Sequence, residues 1–229
     1  MGIKSSQPVK EILERQRAHW DTNFSQRPEM FGGEPSTPAL KAAQLFKREG
    51  KTNLLELGGG QGRDTLFFAR EGLQVATLDY SQEGIAAISA KAEGAALRDR
   101  ITPLRHDVRE PLPFDNAAFD CCYSHMLFCM ALTTAELERL SDEVRRVLKP
   151  GGLHVYTVRH TKDPHYGTGM HWGEDMYEVG GFIVHFFSPE KVRQLARGSE
   201  IVSIDKFEEG GLPRKLFRVT MQKKTGEPV

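Results

Sequence analysis

The chain has 229 residues, enough for one large domain or for one domain with an appendage. Hydrophobic residues make up 39% of it and charged residues 27%, which excludes wholesale disorder and allows a sizeable core. Because Lys plus Arg and Asp plus Glu are both 31, the formal net charge is zero, and no global basic field attracts nucleic acid or an anionic membrane. This balance favours a small-molecule partner and predicts neither a nucleic-acid nor a membrane partner.

The cysteines and the N-terminus indicate the compartment. Cys121, Cys122 and Cys129 form no Cys-x-x-Cys pair, a pattern typical of reduced thiols rather than of a disulfide framework. The N-terminus lacks the apolar core of a signal peptide, and no run approaches the roughly 18 apolar residues of a membrane span. We therefore expect a soluble cytoplasmic protein, a monomer or a homodimer.

The first 36 residues are predicted to be a helical and loop segment appended to a domain over residues 37–229. Pro8–Trp20 predicts one short helix, and the turn formers in residues 21–38 predict irregular structure. The next helix is predicted to have Thr37 as its N-cap. Its expected apolar face consists of Leu40, Ala43 and Phe46.

Apolar strands and helices alternate along the rest of the chain. The predicted strands are Asn53–Leu57, Gln74–Asp79, Ile101–His106, Phe119–Ser124, Leu153–Val158, Ile201–Phe207 and Leu216–Gln222. The predicted helices are Arg63–Arg70, Ser81–Gly94, Thr133–Leu148 and Ser188–Ala196. Alternation of this kind indicates an α/β fold with a doubly wound, mostly parallel sheet of about seven strands. The short loop between the last two strands favours an antiparallel hairpin at the sheet edge.

A glycine cluster follows the first strand and opens a helix. It reads Glu56-Leu-Gly-Gly-Gly-Gln-Gly62, and Asp79 ends the next strand about twenty residues later. Glycines there let the backbone approach a ligand at the carboxyl ends of the strands, and a carboxylate in the position of Asp79 can accept both hydroxyls of a ribose. A dinucleotide fingerprint would place a third glycine where Arg63 stands, which argues against an NAD enzyme.

The segment 56–62 resembles motif I of class I S-adenosylmethionine (SAM)-dependent methyltransferases. Asp79 and Asp107 match that family's acidic residues after the second and third strands. Residues 119–124 and 148–152 are similar to its fourth-strand motif and to the turn before its fifth strand. The N-terminal region and residues 160–187 are more loosely similar to the tellurite and thiopurine methyltransferases. The resemblance implies a Rossmann-like fold and SAM as cofactor, with S-adenosylhomocysteine as the product.

The resemblance also implies a set of cofactor contacts. Gly58, Gly59, Gly60 and Gly62 would lie along the methionine part of SAM, with Glu56 supporting the loop. Asp79 would hold the ribose and Tyr80 would lie beside the adenine. Asp107 would contact the adenine amino group and the Val108 amide its ring, while the Ser124 backbone would face the methionine amino group.

His125 follows the fourth strand, beside the expected methyl group, and is predicted as the catalytic base. Histidine suits the role because it changes charge near neutral pH, and hydroxyl or ammonium acceptors must lose a proton whereas thiolates need little help. The alternative interpretation makes His125 a pocket-wall residue without a proton role.

The insertion at residues 160–187 is rich in histidines and aromatic residues and is predicted to roof the acceptor pocket. Trp20 and Arg27 of the N-terminal segment are expected to complete this cover. The predicted acceptor contacts are Trp20, Arg27, Arg159, His165, Tyr166, His171 and Tyr177.

Three other interpretations compete with a small-molecule methyltransferase. The first is a metal site at His160, His165, His171 and Glu174, but their spacing matches no known ligand pattern, so no metal is predicted. The second is a SAM-binding protein with non-methylating chemistry, such as cyclisation. The third is a SAM-sensing module, which would have no need of the histidine-rich insertion.

Overall fold

The computed structural model describes residues 9–210 and 214–226. Its helices are α1 (Val9–Gln26), α2 (Thr37–Arg48), α3 (Arg63–Arg70), α4 (Gln82–Gly94), α5 (Thr134–Val147) and α6 (Pro189–Leu195). Its strands are β1 (Asn53–Leu57), β2 (Gln74–Asp79), β3 (Ile101–Arg105), β4 (Phe119–His125), β5 (Leu148–Arg159), β6 (Met170–His171), β7 (Met176–Val179), β8 (Phe182–His185), β9 (Ser199–Glu209) and β10 (Arg214–Lys223).

Seven strands form one sheet in the order β3-β2-β1-β4-β5-β10-β9. The first five run parallel to one another, and β10 is antiparallel to both β5 and β9. The predicted doubly wound sheet with an antiparallel edge hairpin is therefore confirmed. The insertion at 160–187 contains a second, three-stranded antiparallel sheet of β6, β7 and β8, which the sequence did not predict.

Each face of the main sheet carries its own hydrophobic core. Leu54 belongs to the core that packs α2, α3 and α4, whereas the adjacent Leu55 belongs to the core that packs α5 and α6. Consecutive residues of a strand point to opposite faces, so the almost continuous apolar runs of β1 and β4 are those of strands covered on both sides. The sequence pattern thus accounts for the three-layer arrangement.

The two predicted caps at Ser81 and Thr133 are present. The Ser81 Oγ accepts the Gly84 amide at 3.0 Å and begins α4. Thr133 and Glu136 form a reciprocal capping box at the start of α5. These signals are local in sequence, and they therefore fix the helix starts without help from tertiary contacts.

Three predictions at the N-terminal end were wrong. Residues 21–26 are the last part of α1 rather than irregular, because the Pro and Gly residues that break helices begin only at Pro28. The N-cap of α2 is Ser36, whose Oγ accepts the Ala39 amide at 3.2 Å, and not Thr37. Leu40 is 42% exposed, since Ala39 and its helical neighbours form the buried face.

The strand order determines where a ligand can lie. The sheet grows in one direction from β1 to β2 and in the other from β1 to β4, so the connections leave to opposite faces at this point. A crevice opens at the carboxyl ends of strands at such a switch. Because β10 is antiparallel to both β5 and β9, β9 runs in the same direction as β5. The carboxyl end of β9 therefore lies at the same edge of the sheet as the carboxyl ends of the parallel strands.

Candidate functional site

The glycine loop forms the floor of the crevice after β1. Gly58, Gly60 and Gly62 have φ angles of 74°, 55° and 87°, in the left-handed region that favours glycine. The Gly58 amide donates to the Leu78 carbonyl at 2.7 Å and ties the loop to β2. A Cβ on Gly59 would lie 2.2 Å from the Thr77 Oγ1. The loop therefore requires glycine for its backbone conformation and for its close contact with β2.

Glu56 lies behind this loop rather than in the crevice. Its side chain is buried, and its carboxyl group accepts a hydrogen bond from the Thr65 hydroxyl of α3. Burial raises the pKa of Glu56 to about 8, although the Thr65 hydrogen bond opposes the shift. At neutral pH Glu56 is mostly a neutral acid that joins β1 to the start of α3 beneath the loop.

Asp79 joins the end of β2 to the glycine loop. Its Oδ2 accepts the Gly60 amide at 2.8 Å and its Oδ1 accepts the Ser81 amide at 2.9 Å. Burial raises the pKa of Asp79 to about 6, against the effect of these two hydrogen bonds. Each carboxylate oxygen keeps a further lone pair, so Asp79 can accept additional hydroxyl donors.

The residues predicted on the adenine side lie together after β2 and β3. Tyr80 is half-buried, and burial together with Asp79 raises the pKa of its hydroxyl. The Asp107 carboxylate pairs with the guanidinium of Arg109, whose Nε lies 2.8 Å from Oδ1. Burial opposes ionisation of Asp107, but the Arg109 contacts keep its pKa below the usual value. The half-buried Val108 packs against the α5-side core.

Arg109 was missed by sequence reasoning. The sequence did contain an indication of this contact, because a basic residue two positions after an acidic residue in a turn can form an ion pair with it. The pairing leaves Asp107 fewer free lone pairs for a ligand than the resemblance implies.

The segment after β4 is strained and closes on the glycine loop. Met126 has a φ of 68°, and its amide donates to the carbonyl and the hydroxyl of Thr157 on β5 at 3.2 and 3.0 Å. Leu127 packs so close to Gly58 that a Cβ there would lie 3.0 Å from the Leu127 Cβ. Ser124 is fully buried, and its hydroxyl has no partner among the described residues. Strained backbone of this kind is common at functional sites.

His125 lies at the carboxyl end of β4, and each of its two ring nitrogens contacts a neighbouring side chain. Its Nδ1 lies 2.8 Å from the Thr157 Oγ1 and its Nε2 lies 3.5 Å from the Glu209 Oε2. The Thr157 Oγ1 already accepts the Met126 amide, so its own proton can be donated to Nδ1. This hydrogen-bond pattern assigns the ring proton to Nε2, facing Glu209.

Glu209 was also missed by sequence reasoning, because it lies 84 positions beyond His125 at the end of β9. Burial raises the pKa of Glu209, but the His125 contact together with the charges of Arg63 and Arg214 lowers it below its usual value. The acidic pair Glu208-Glu209 before a Gly-Gly turn was the available signal. It could not show which strand end the hairpin would reach.

Helix α1 spans the crevice and contacts the insertion. The Trp20 ring packs on Phe182 of β8 at 4.4 Å and on Phe24 at 5.2 Å between ring centroids. A Cβ on Gly60 would lie 3.6 Å from the Phe24 ring and 3.8 Å from the Phe31 ring. The N-terminal segment and the insertion thus meet above the glycine loop.

The structure does not bring all predicted acceptor contacts into the crevice. Arg27 is exposed, and its carbonyl accepts the Gln61 side chain at 2.8 Å. Arg159 is 5% exposed and occupied by Asp163, with its Nε 3.1 Å from Oδ2. His165 lies against this ion pair, 2.6 Å from the Arg159 guanidinium. These contacts anchor the base of the insertion.

The aromatic residues of the insertion pack on one another. His171 stacks on Tyr177 at 4.8 Å, and Tyr166 meets the Tyr177 ring edge-on at 5.4 Å. Tyr166 and His171 are exposed, whereas Tyr177 packs against the same core as Met126 and Leu127. Of these three residues, Tyr177 is the one that packs on the core shared with the segment after β4.

Over residues 9–210 and 214–226, no group of three or more His, Cys, Asp or Glu side chains has an arrangement that could hold a metal ion. In the same part of the chain, no helix is both long and apolar enough to cross a membrane.

The sequence around this site is similar to that of known proteins. Residues 54–152 match the family model described as a methyltransferase domain. An uncharacterized methyltransferase of Synechocystis is 28% identical over 129 residues, covering 56% of this chain and 57% of that protein. The chain spans about half the length of the curated relatives it matches.

Two solved structures share the fold over nearly the whole chain. The 1,6-didemethyltoxoflavin-N1-methyltransferase of Burkholderia thailandensis, with S-adenosylhomocysteine bound, has a TM-score of 0.76 at 15% identity and covers 97% of this chain and 93% of its own. The [4+2]-cyclase SpnF has a TM-score of 0.68 at 17% identity, covering 98% and 99%. At these identities the likeness establishes the fold.

Proposed function

We propose that the chain is a class I SAM-dependent methyltransferase that transfers the methyl group of SAM to a small-molecule acceptor, because residues 54–152 match the methyltransferase-domain family model. The observation that carries this proposal is the glycine loop joined to Asp79 at the switch point of the sheet. The match over residues 54–152 supports SAM as the cofactor.

The residues of the crevice fit that cofactor. The loop has no side chains at Gly58, Gly59 and Gly60, so a ligand can approach its backbone. Asp79 offers carboxylate lone pairs to a ribose, and Tyr80 offers a ring for the adenine. Bound SAM would supply an electrophilic methyl group on a sulfonium, with S-adenosylhomocysteine as the leaving group. The protein then has to position the acceptor and exclude water.

We assign the acceptor pocket to the space between the segment after β4 and the cover formed by α1 and the insertion. Trp20, Phe182 and Tyr177 give this cover an aromatic surface. Such a surface suits an acceptor with a flat or apolar body, because aromatic rings pack well on one another. Arg159 and His165 support the cover from its base.

His125 is proposed to receive the proton of a hydroxyl or amine acceptor. For this role the ring proton must sit on Nδ1 and be donated to the Thr157 Oγ1, which leaves the Nε2 lone pair free. An acceptor that bonds to Nε2 in place of Glu209 would favour this tautomer. The nearby Glu209 carboxylate would then stabilise the imidazolium that forms. A thiolate acceptor has no proton to lose and would not depend on either residue.

The test is transfer of labelled methyl from SAM to a panel of thiols, selenite and tellurite, amines, phenols and carboxylates, with products identified by mass. We expect one acceptor class to be methylated. If that acceptor carries a proton, His125→Gln should lower kcat by about 100-fold, the usual contribution of a general base. SAM binding without transfer to any acceptor would contradict the proposal.

Glu209→Gln distinguishes a proton role from simple packing. Loss of the neighbouring carboxylate disfavours the imidazolium, so the acidic limb of the pH profile of kcat should move to lower pH. Glu200→Gln, on the same strand but exposed, is the matched control and should leave the profile unchanged. Equal profiles for all three proteins would refute the assigned partnership of Glu209 and His125.

A second candidate function is non-methylating chemistry on the same cofactor scaffold. The full-length likeness in fold to a [4+2]-cyclase is the observation that favours it. Conversion of a substrate without release of S-adenosylhomocysteine would identify this case. A cytoplasmic location, a monomeric or homodimeric state and the absence of a nucleic-acid partner remain predictions.

A further inference from the structure

A second concave site lies on the edge hairpin, away from His125. It is a groove of about 360 Å³ between β9, β10 and the start of the insertion. Its lining consists of His160, Lys162, Lys206, Phe207, Glu208 and Lys215. Glu208 and Glu209 are consecutive on β9 and point to opposite faces of the sheet, so the groove lies across the sheet from the His125–Glu209 pair.

The groove is lined by a histidine whose ring can donate a hydrogen bond. His160 is 5% exposed, and its ring stacks on Phe217 at 4.6 Å between centroids. Its Nδ1 accepts the Lys162 amide at 3.0 Å, which assigns the proton to Nε2. Within residues 9–210 and 214–226, Nε2 has no hydrogen-bond partner. Its proton can therefore be donated to an acceptor bound in the groove.

The charges around His160 are predominantly positive. Three lysines and one glutamate line the groove, a net charge of +2. Among the described residues, Lys162, Lys206 and Lys215 form no ion pair. Their proximity adds to the effect of burial, which comes first, and together these keep the pKa of His160 below its usual value. The groove thus combines three unpaired ammonium groups with one fixed neutral donor.

We propose that this groove binds a phosphate-bearing small molecule, with Lys206, Lys215 and His160 as the principal contacts. Phosphate oxygens accept several charged hydrogen bonds at once and match this donor set. The volume of the groove is in the range of small-molecule sites. A long polyanion fits less well, because Glu208 stands in the lining and the chain as a whole is neutral.

The test is calorimetric titration of the full chain with inorganic phosphate, diphosphate and adenosine diphosphate. Vesicles with and without a phosphorylated inositol lipid distinguish a free phosphate from a headgroup. The variant Lys206→Gln/Lys215→Gln should weaken binding by about tenfold or more for each lysine, the loss expected for one charged hydrogen bond. Lys224→Gln, an exposed lysine just beyond β10, is the matched control and should bind like the wild type.

S-adenosylhomocysteine affinity is measured in parallel and should be unchanged in the double variant, which separates this site from the cofactor crevice. Weaker phosphate binding confined to the groove variant supports the proposal, whether or not the methyltransferase assignment holds. No binding of any phosphate probe, or an equal loss in the Lys224 control, would overturn it. Binding of single-stranded DNA without binding of diphosphate would overturn it as well.

Discussion

Replacing Glu56 by Gln tests whether the acid behind the glycine loop is neutral in the folded protein. Gln keeps the shape of the side chain and an oxygen that can accept the Thr65 hydroxyl, but it cannot ionise. Burial raises the pKa of Glu56 from 4.5 to about 8. Because the folded-state pKa lies above the unfolded value, the stability contribution is fully present below pH 4.5 and is lost as pH rises towards 8.

The magnitude follows from these two pKa values. Between pH 5 and pH 7 the wild type should lose about 2.5 kcal/mol of unfolding free energy relative to Glu56→Gln. Other titrating groups are common to both proteins and cancel in the difference. Any pH-independent cost of the substitution shifts the Gln curve without changing its slope.

Urea denaturation at pH 5, 6, 7 and 8 measures the effect, with the difference in unfolding free energy plotted against pH. Glu93→Gln, on the exposed face of α4, is the control and should run parallel to the wild type. If the wild type and Glu56→Gln also run parallel, Glu56 is ionised in the folded protein, and its assignment as a neutral support of the loop is wrong.

Two further predictions concern the crevice. Gly59→Ala places a Cβ 2.2 Å from the Thr77 Oγ1 and should lower the free energy of unfolding by about 1–3 kcal/mol. Gly33→Ala, with open space around it, is the control and should change the unfolding midpoint little. In a Thr77→Ala background part of the loss should be recovered, and the clash would be refuted if the effects of the two substitutions simply added. Asp79→Ala should largely abolish SAM binding as measured by calorimetry, and near-normal affinity in this variant would refute the ribose assignment. In the wild type, the affinity for S-adenosylhomocysteine should fall as pH drops through about 6, because Asp79 then becomes protonated.

The sequence by itself determined the elements of the main sheet and the location of the loop. Strands β1 and β2 and helix α3 have the predicted bounds, because apolar runs, caps and glycines act over a few neighbouring residues. The glycine pattern of 58–62 also located a loop whose backbone a ligand can approach closely. Strand alternation then placed Asp79, Asp107 and His125 at one edge of the sheet.

Only the tertiary structure decided which distant residues meet there. Glu209 reaches His125 because two antiparallel pairings return β9 to the direction of β5, and Arg159 is occupied by Asp163 because the insertion folds back on its own base. The small sheet of the insertion and its contact with Trp20 likewise depend on packing between segments far apart in sequence. Local patterns specify a residue's own backbone, whereas side-chain partners across the sheet depend on strand order and register, which no short segment encodes.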